Sequence, residues 1–154
     1  MSIELCPVTI ENWDTLTELK IREDQRGFVA SNVYSIAESQ FGFEYEGHWD
    51  THSFGVYADR EPVGFLMYCL NFAHSRFQGF VLRLMVDEHF QGQGYGRAAM
   101  ARVIETFRAD ERIRQIGISY KPQNKAAQAL YASLGFVEPG ELAGEETLAI
   151  LKLR

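Results

Sequence analysis

What this chain has little of narrows the choices first. It holds two cysteines, Cys6 and Cys69, in 154 residues. They are too few for a disulfide framework, and both sit in strand-like runs where a thiol behaves as a small hydrophobe. No CxxC or His/Cys cluster accompanies them, so neither a structural zinc site nor another metal is expected. Positive charge is scarce: 15 Lys and Arg against 21 Asp and Glu give a formal net charge of −6. Nucleic-acid binders usually carry a basic stripe, so that class is set aside, while a cationic small molecule is permitted. No apolar window reaches the roughly 18 residues of a membrane-spanning helix. MSIELCPVTI has neither the basic start nor the long apolar run of a secretory leader. A soluble cytoplasmic protein without nucleic-acid or membrane partners is the expectation. No repeat, low-complexity segment or linker divides the chain, and its length suits one domain, residues 1–154.

The stretch with most structure in it is FVLRLMVDEHFQGQGYGR, Phe80 to Arg97. Phe80 to Val86 reads as a buried strand. Three glycines follow at alternate positions, Gly92, Gly94 and Gly96. From Arg97 the pattern turns helical, with Met100, Val103, Ile104 and Phe107 on one face. A strand, a glycine-rich turn and a helix N-terminus make an anion site, because glycine lets main-chain N–H groups approach phosphate oxygens and the helix dipole favours negative charge there. Gln91, Gly92, Gln93, Gly94, Tyr95, Gly96 and Arg97 are therefore candidate phosphate-binding residues. A P-loop is excluded, since no Lys-Ser or Lys-Thr follows the glycines. A Rossmann fingerprint fails too: G-Q-G-Y-G-R puts Arg97 where the last glycine belongs. The pattern that fits is Q/R-x-x-G-x-G/A, on Gln91, Gly94 and Gly96.

Around this stretch the chain reads as a series of elements. A strand covers Ile3–Thr9, and a helix capped by Thr9 or Asn12 runs to about Ile21. A short helix follows Ser31 or Asn32, and Gly42–Thr51 reads as a loop. Ser53–Ala58 and Pro62–Phe72 form a hairpin about Asp59-Arg60-Glu61. After the strand Phe80–Val86 comes a helix over Gly94–Ala109, then a strand over Gln115–Tyr120. Asn124 caps a helix to Leu134, ended by Gly135. Phe136–Leu142 and Thr147–Leu153 read as the last strands. The order β-α-α-β-β-β-α-β-α-β-β gives a mixed α/β sheet, with locally parallel pairing expected across the two crossover helices.

NKAAQALYASLGF, Asn124 to Phe136, supplies a second motif, N-x-x-A-x-x-x-Y-x-x-x-G-F, on Asn124, Ala127, Tyr131 and Gly135. Asn124 and Tyr131 stand seven residues apart, two turns along one helix face. Taken singly, Asn124 is a good cap that needs no ligand, and Tyr131 between Leu130 and Leu134 could be plain core. Together with the glycine turn and in this order, the two motifs resemble the GNAT N-acetyltransferase family along essentially the whole chain. The resemblance implies that family's fold and acetyl-CoA as co-substrate, with its pyrophosphate on the turn. It implies a cofactor-side hydrogen bond from Asn124 and Tyr131 as general acid. It also implies a pantetheine arm paired like an added strand with the main chain of Leu84, Met85 and Val86. A phenol with a pKa of about 10 stays protonated at neutral pH and can donate to a thiolate whose thiol titrates near 8.5.

For the acceptor, Ser31 to Asp59 contains no Lys or Arg but holds Glu38, Glu44, Glu46, Asp50 and Asp59, interleaved with Phe41, Phe43, Tyr45 and Trp49. Carboxylates beside aromatic faces suit a polycation, although an acidic loop can equally be solvated surface. The segments look most like bacterial spermine/spermidine acetyltransferases, which implies a small-molecule amine acceptor, a polyamine or diamine. Other acceptors on the same fold are an aminoglycoside, an amino acid or a protein N-terminus, and a non-catalytic acyl-CoA sensor shares the turn. The related animal enzymes carry a carboxylate on the central strand where Leu82 and Arg83 stand here. The general base is thus open among Glu38, Glu44, Glu46 and a water chain. The family resemblance further implies a homodimer, for which Phe136–Leu153 offers an edge.

Overall fold

Along the central strands, alternate side chains go to opposite faces, as a period of two requires. Phe65 and Met67 join one apolar cluster, Leu66 and Tyr68 the other. A computed structural model describes residues 2–154. Its elements are β1 (Ile3–Pro7), α1 (Trp13–Thr17), α2 (Asn32–Glu38), β2 (Phe43–Glu44), β3 (His48–Ala58), β4 (Glu61–Leu70) and β5 (Gly79–Val86). Then follow α3 (Tyr95–Arg108), β6 (Gln115–Tyr120), α4 (Lys125–Ser133), β7 (Leu142–Ala143) and β8 (Glu146–Lys152). The sheet runs β1-β3-β4-β5-β6-β8-β7, with β2 paired to β3. Among the described residues only β5 and β6 pair in parallel, joined by the crossover helix α3. This is the mixed α/β sheet that the element order predicts.

The larger core lies under α3. Ala99, Met100, Val103 and Phe107 recur at helical spacing and are fully buried against Val56, Leu66, Val81 and Ile116. The Phe107 ring meets Tyr68 edge-on at 4.8 Å, and truncating it to Ala would cost about 3–5 kcal/mol. A smaller cluster of Phe65, Met67 and Met85 lies on the opposite face, under Leu19, Ile21, Val29 and Ile36. The sheet thus sits between α3 and α4 on one side and the α1–α2 segment on the other.

Four expectations are corrected. Gly42–Thr51 is not a loop: β2 and the start of β3 form a hairpin, Phe43 opposite Trp49, turning through Glu46 at φ 52° and Gly47 at φ 103°. Its polar sequence hid the pairing. The first helix stops at Thr17, because the chain leaves for the end of β5, where the Lys20 N–H donates to Asp87 Oδ2 at 2.9 Å. Phe136–Leu142 keeps only a bridge from Val137 to Ile150 before β7. Pro139 offers no N–H there, and Gly140 turns the chain at φ 86°. Finally, α4 does not join two adjacent parallel strands. β8 inserts between β6 and β7 and runs antiparallel to β6, leaving the two-residue β7 as the edge on that side.

Candidate active site

The site begins where β5 leaves β6. Their pairing covers only Gly79–Val81 against Ile116–Ile118. From Leu82 onward β5 keeps β4 alone, and Met67 opposes Arg83 while Tyr68 opposes Val81. Leu82 is therefore the extra residue of a bulge, a device that bends a strand out of its ladder. Main-chain groups alternate sides along an antiparallel pair. The Asp87 N–H donates to Val63 O at 2.8 Å, which sets the phase: Met85 faces Phe65, while Leu84 and Val86 aim their peptide groups into the gap. A Cβ on Gly64 would fall 2.4 Å from Met85 O, consistent with that phase. The gap widens into a cavity of about 360 Å³ between β5, the glycine turn, the end of β6 and α4.

The glycine turn closes one end. Gly92 at φ 77° and Gly94 at φ 84° lie in the left-handed region that side chains disfavour, and Gly94 is the N-cap of α3. From Gln91 to Arg97 no main-chain N–H donates a backbone hydrogen bond among the described residues. A run of unpaired amides at the start of a 14-residue helix is an anion cradle. Gly92, Gly94, Tyr95, Gly96 and Arg97 line the cavity; Gln93 does not. A Cβ on Gly96 would meet Val86 at 3.7 Å and Leu130 at 3.8 Å. The protein has room for it, but it would occupy the gap. Gln91 plays a part the sequence did not suggest: its Nε2 donates to Val86 O and to Gln25 Oε1, both at 2.9 Å, bracing the turn against β5 and the α1–α2 segment.

The second motif enters the same cavity from α4. Asn124 caps the helix, its Oδ1 accepting from the Ala127 N–H at 3.2 Å, and Asn124 and Ala127 both line the cavity. Tyr131 lines it as well, at 7 % exposure. Burial pushes its phenol up from the ordinary value, and neighbouring Tyr120 and Glu146 add to the effect. Tyr120, with ring centroid 5.6 Å away, is raised by burial and then by its hydrogen bond to Glu138. The Tyr131 hydroxyl has no protein partner among the described residues, and it is held in its protonated form at the cavity wall.

The three acidic candidates are dispersed. Glu38 Oε1 accepts from Arg83 Nη2 at 3.2 Å, and Arg83 Nη1 also donates to the bulged Leu82 carbonyl at 3.0 Å. Arg83 Nε is buried without a partner among the described residues. Glu46 binds the buried His74 at 2.9 Å, and Glu44 binds His48. None of the three carboxylates lines the cavity; only Arg83, which holds Glu38, does. Sequence reading passed over another carboxylate. Ser119 Oγ, on the cavity wall, donates to Glu146 Oε1 at 2.8 Å. Ser119 stands out as a small hydroxyl in the apolar run QIGISY, but Glu146 reaches it only through the β6–β8 pairing. Gln25 and Phe28, which wall the cavity from the α1–α2 segment, carry no local signal either.

A strand gap with open peptide groups, an anion cradle at one end and a buried phenol at the side define a transferase that works on a group carried by a long phosphorylated arm. The acetyltransferase (GNAT) family model matches residues 13–136, so the chain belongs to that family and is an acetyl-CoA-dependent N-acetyltransferase. It is 27 % identical over 146 residues to the spermine/spermidine N(1)-acetyltransferase of Bacillus subtilis strain 168, covering 92 % of each chain. Among solved structures it resembles the spermidine N-acetyltransferase of Vibrio cholerae bound to CoA and spermine, with a TM-score of 0.72 and 15 % identity over 98 % of this chain and 95 % of that one. An aminoglycoside acetyltransferase with coenzyme A gives a TM-score of 0.76 at 14 % identity, with 98 % and 95 % covered.

Proposed function

We propose that this protein acetylates a primary amine of a polyamine such as spermidine or spermine. One observation carries the catalytic half: the unpaired amides of Gln91–Arg97 run on into the strand edge where the Leu84 peptide groups and the Val86 N–H stay open, the Val86 carbonyl being held by Gln91. The amides suit a diphosphate. The peptide edge suits a pseudo-peptide arm, which pairs as an added strand would. Gly96 keeps the passage between them clear, and Asn124 sits beside it. Met85 contributes packing, with its peptide turned to β4. Acetyl-CoA supplies the acetyl group in an activated thioester.

The chain's own residues handle protons and orientation. Tyr131, kept neutral by burial, gives its phenolic proton as negative charge develops next to it. The acceptor ammonium must lose a proton before it can attack; with a pKa of about 10.4, roughly one amine in a thousand is neutral at pH 7. Glu38 is engaged by Arg83, Glu44 by His48 and Glu46 by His74. Glu146, held by Ser119 on the wall of the gap, is the carboxylate best placed to take that proton through the Ser119 hydroxyl or a water beside it. The polyamine acceptor is supported by the Bacillus relative. The test is a panel of amines with acetyl-CoA and a free-thiol readout. Spermidine and spermine should react; turnover with another amine but not with these sinks the polyamine reading.

A further inference from the structure

A second cavity, of about 330 Å³, opens on the face of the sheet away from α3 and α4. No helix covers it. Phe43, Trp49, Phe77 and Phe80 form its walls. Trp49 lies 6.2 Å from Phe43 and 6.4 Å from Phe77, and Phe77 lies 5.5 Å from Phe80, ring centroid to ring centroid. Leu82, the bulged residue, lines this cavity and the gap alike. The two spaces therefore share one residue, where β5 parts from β6. Across the aromatic cavity lies a bidentate ion pair, Arg76 Nη1 to Glu141 Oε2 at 2.6 Å and Nη2 to Oε1 at 2.7 Å. Both side chains are well exposed, 39 % and 50 %, so solvent screens the pair and leaves it open to exchange, although its bidentate geometry puts it at the stronger end of surface pairs. Their backbones are anchored separately: Gln115 Nε2 donates to Arg76 O at 2.6 Å, and the Leu148 N–H to Glu141 O at 3.1 Å.

We propose that the acceptor's aliphatic arm lies in this aromatic cavity and that its distal ammonium replaces Arg76 on Glu141, so that Arg76 is a built-in competitor for the substrate's second charge. This rests on the amine acetyltransferase reading above. Methylene groups gain apolar contact along the four rings, and an ammonium passing over their faces gains cation–π attraction. Glu141 then selects acceptors with a second cation at the far end of the chain. Arg83, the cation farther along β5 beyond the bulge, stays with Glu38.

The inference makes two variants move in opposite directions. Steady-state kinetics at saturating acetyl-CoA compare spermidine with butylamine, which has a reacting end but no distal charge. Glu141→Gln raises the spermidine KM roughly tenfold or more, the loss of one charge-assisted contact. Arg76→Gln lowers the spermidine KM. The butylamine KM stays within about twofold in both variants. Calorimetric titration of spermidine onto the CoA-loaded protein gives the same ordering without turnover. If both variants shift spermidine and butylamine alike, or neither moves spermidine, this inference is overturned while CoA stabilisation and butylamine turnover leave the parent reading standing. If CoA fails to raise Tm and no amine reacts, the parent reading falls, and this one with it.

Discussion

The gap beside β5 is closed at one end by the glycine turn with its unpaired amides and edged by the main chain of β5. The cavity across the sheet is walled by side chains from β2, β3, the segment between β4 and β5, and the ends of β7. Both end on Leu82, yet they answer to different physics. A diphosphate and an amide-rich arm look the same in every reaction that uses them, so fixed main-chain donors serve. An acceptor is recognised by shape and charge, which only side chains can vary. The first wall should therefore tolerate few substitutions, and the second should retune specificity without harm to CoA binding.

The largest expected effect breaks the first wall. Gly94→Glu puts a side chain at φ 84° and a carboxylate among the unpaired amides. CoA-dependent thermal stabilisation should vanish, while spermidine titration should still respond to Glu141. Next comes Tyr131→Phe, which should lower kcat by about 10²-fold or more with CoA affinity nearly unchanged, as expected for a proton donor used only in the transition state. Glu146→Gln should lower kcat for spermidine by about tenfold near pH 7. That deficit should shrink as pH approaches the amine's own pKa of about 10.4, where solvent supplies neutral amine.

The smallest effect concerns the brace under the cradle. Asp87 is 6 % exposed and accepts from the N–H groups of Lys20 and His89 and from the His89 ring. Burial alone would raise its pKa, but those donors outweigh it and hold the carboxyl below its usual value. A folded-state pKa below the unfolded value of about 3.9 contributes stability above that pH and loses it as pH falls through the folded value. Asp87→Asn should cost about 1–2 kcal/mol at pH 7 in denaturant titration. The difference from wild type should narrow below about pH 4. A constant difference down to pH 2 would show that the carboxylate's charge is not what matters.

The contrast between the walls also explains what was legible in the sequence. The glycine turn and the Asn124–Tyr131 helix are contiguous motifs, and each fixes its own backbone, so residues from Gln91 to Arg97 and from Asn124 to Tyr131 could be read directly. The splay was foreseeable only as a family trait. The bulge at Leu82 depends on pairing with β4, which no local pattern records. Glu38, Glu44 and Glu46 drew notice as charges in an acidic run, but their partners Arg83, His48 and His74 come from other elements or the far side of a hairpin. Glu141 and Glu146 sit in the unremarkable stretch GELAGEET. They reach Arg76 and Ser119 only once β8 has inserted beside β6.

Amide chemical shifts of the ¹⁵N-labelled protein, followed during separate additions of CoA and spermidine, bear most directly on the central claim. CoA should move the resonances of Gly92, Gly94 and Gly96 and leave the Trp49 indole N–H, bonded to Tyr45 O at 2.8 Å, nearly still. Spermidine added to the CoA-loaded protein should do the reverse. CoA that shifts Trp49 and passes over the three glycines would contradict the assignment of the cradle.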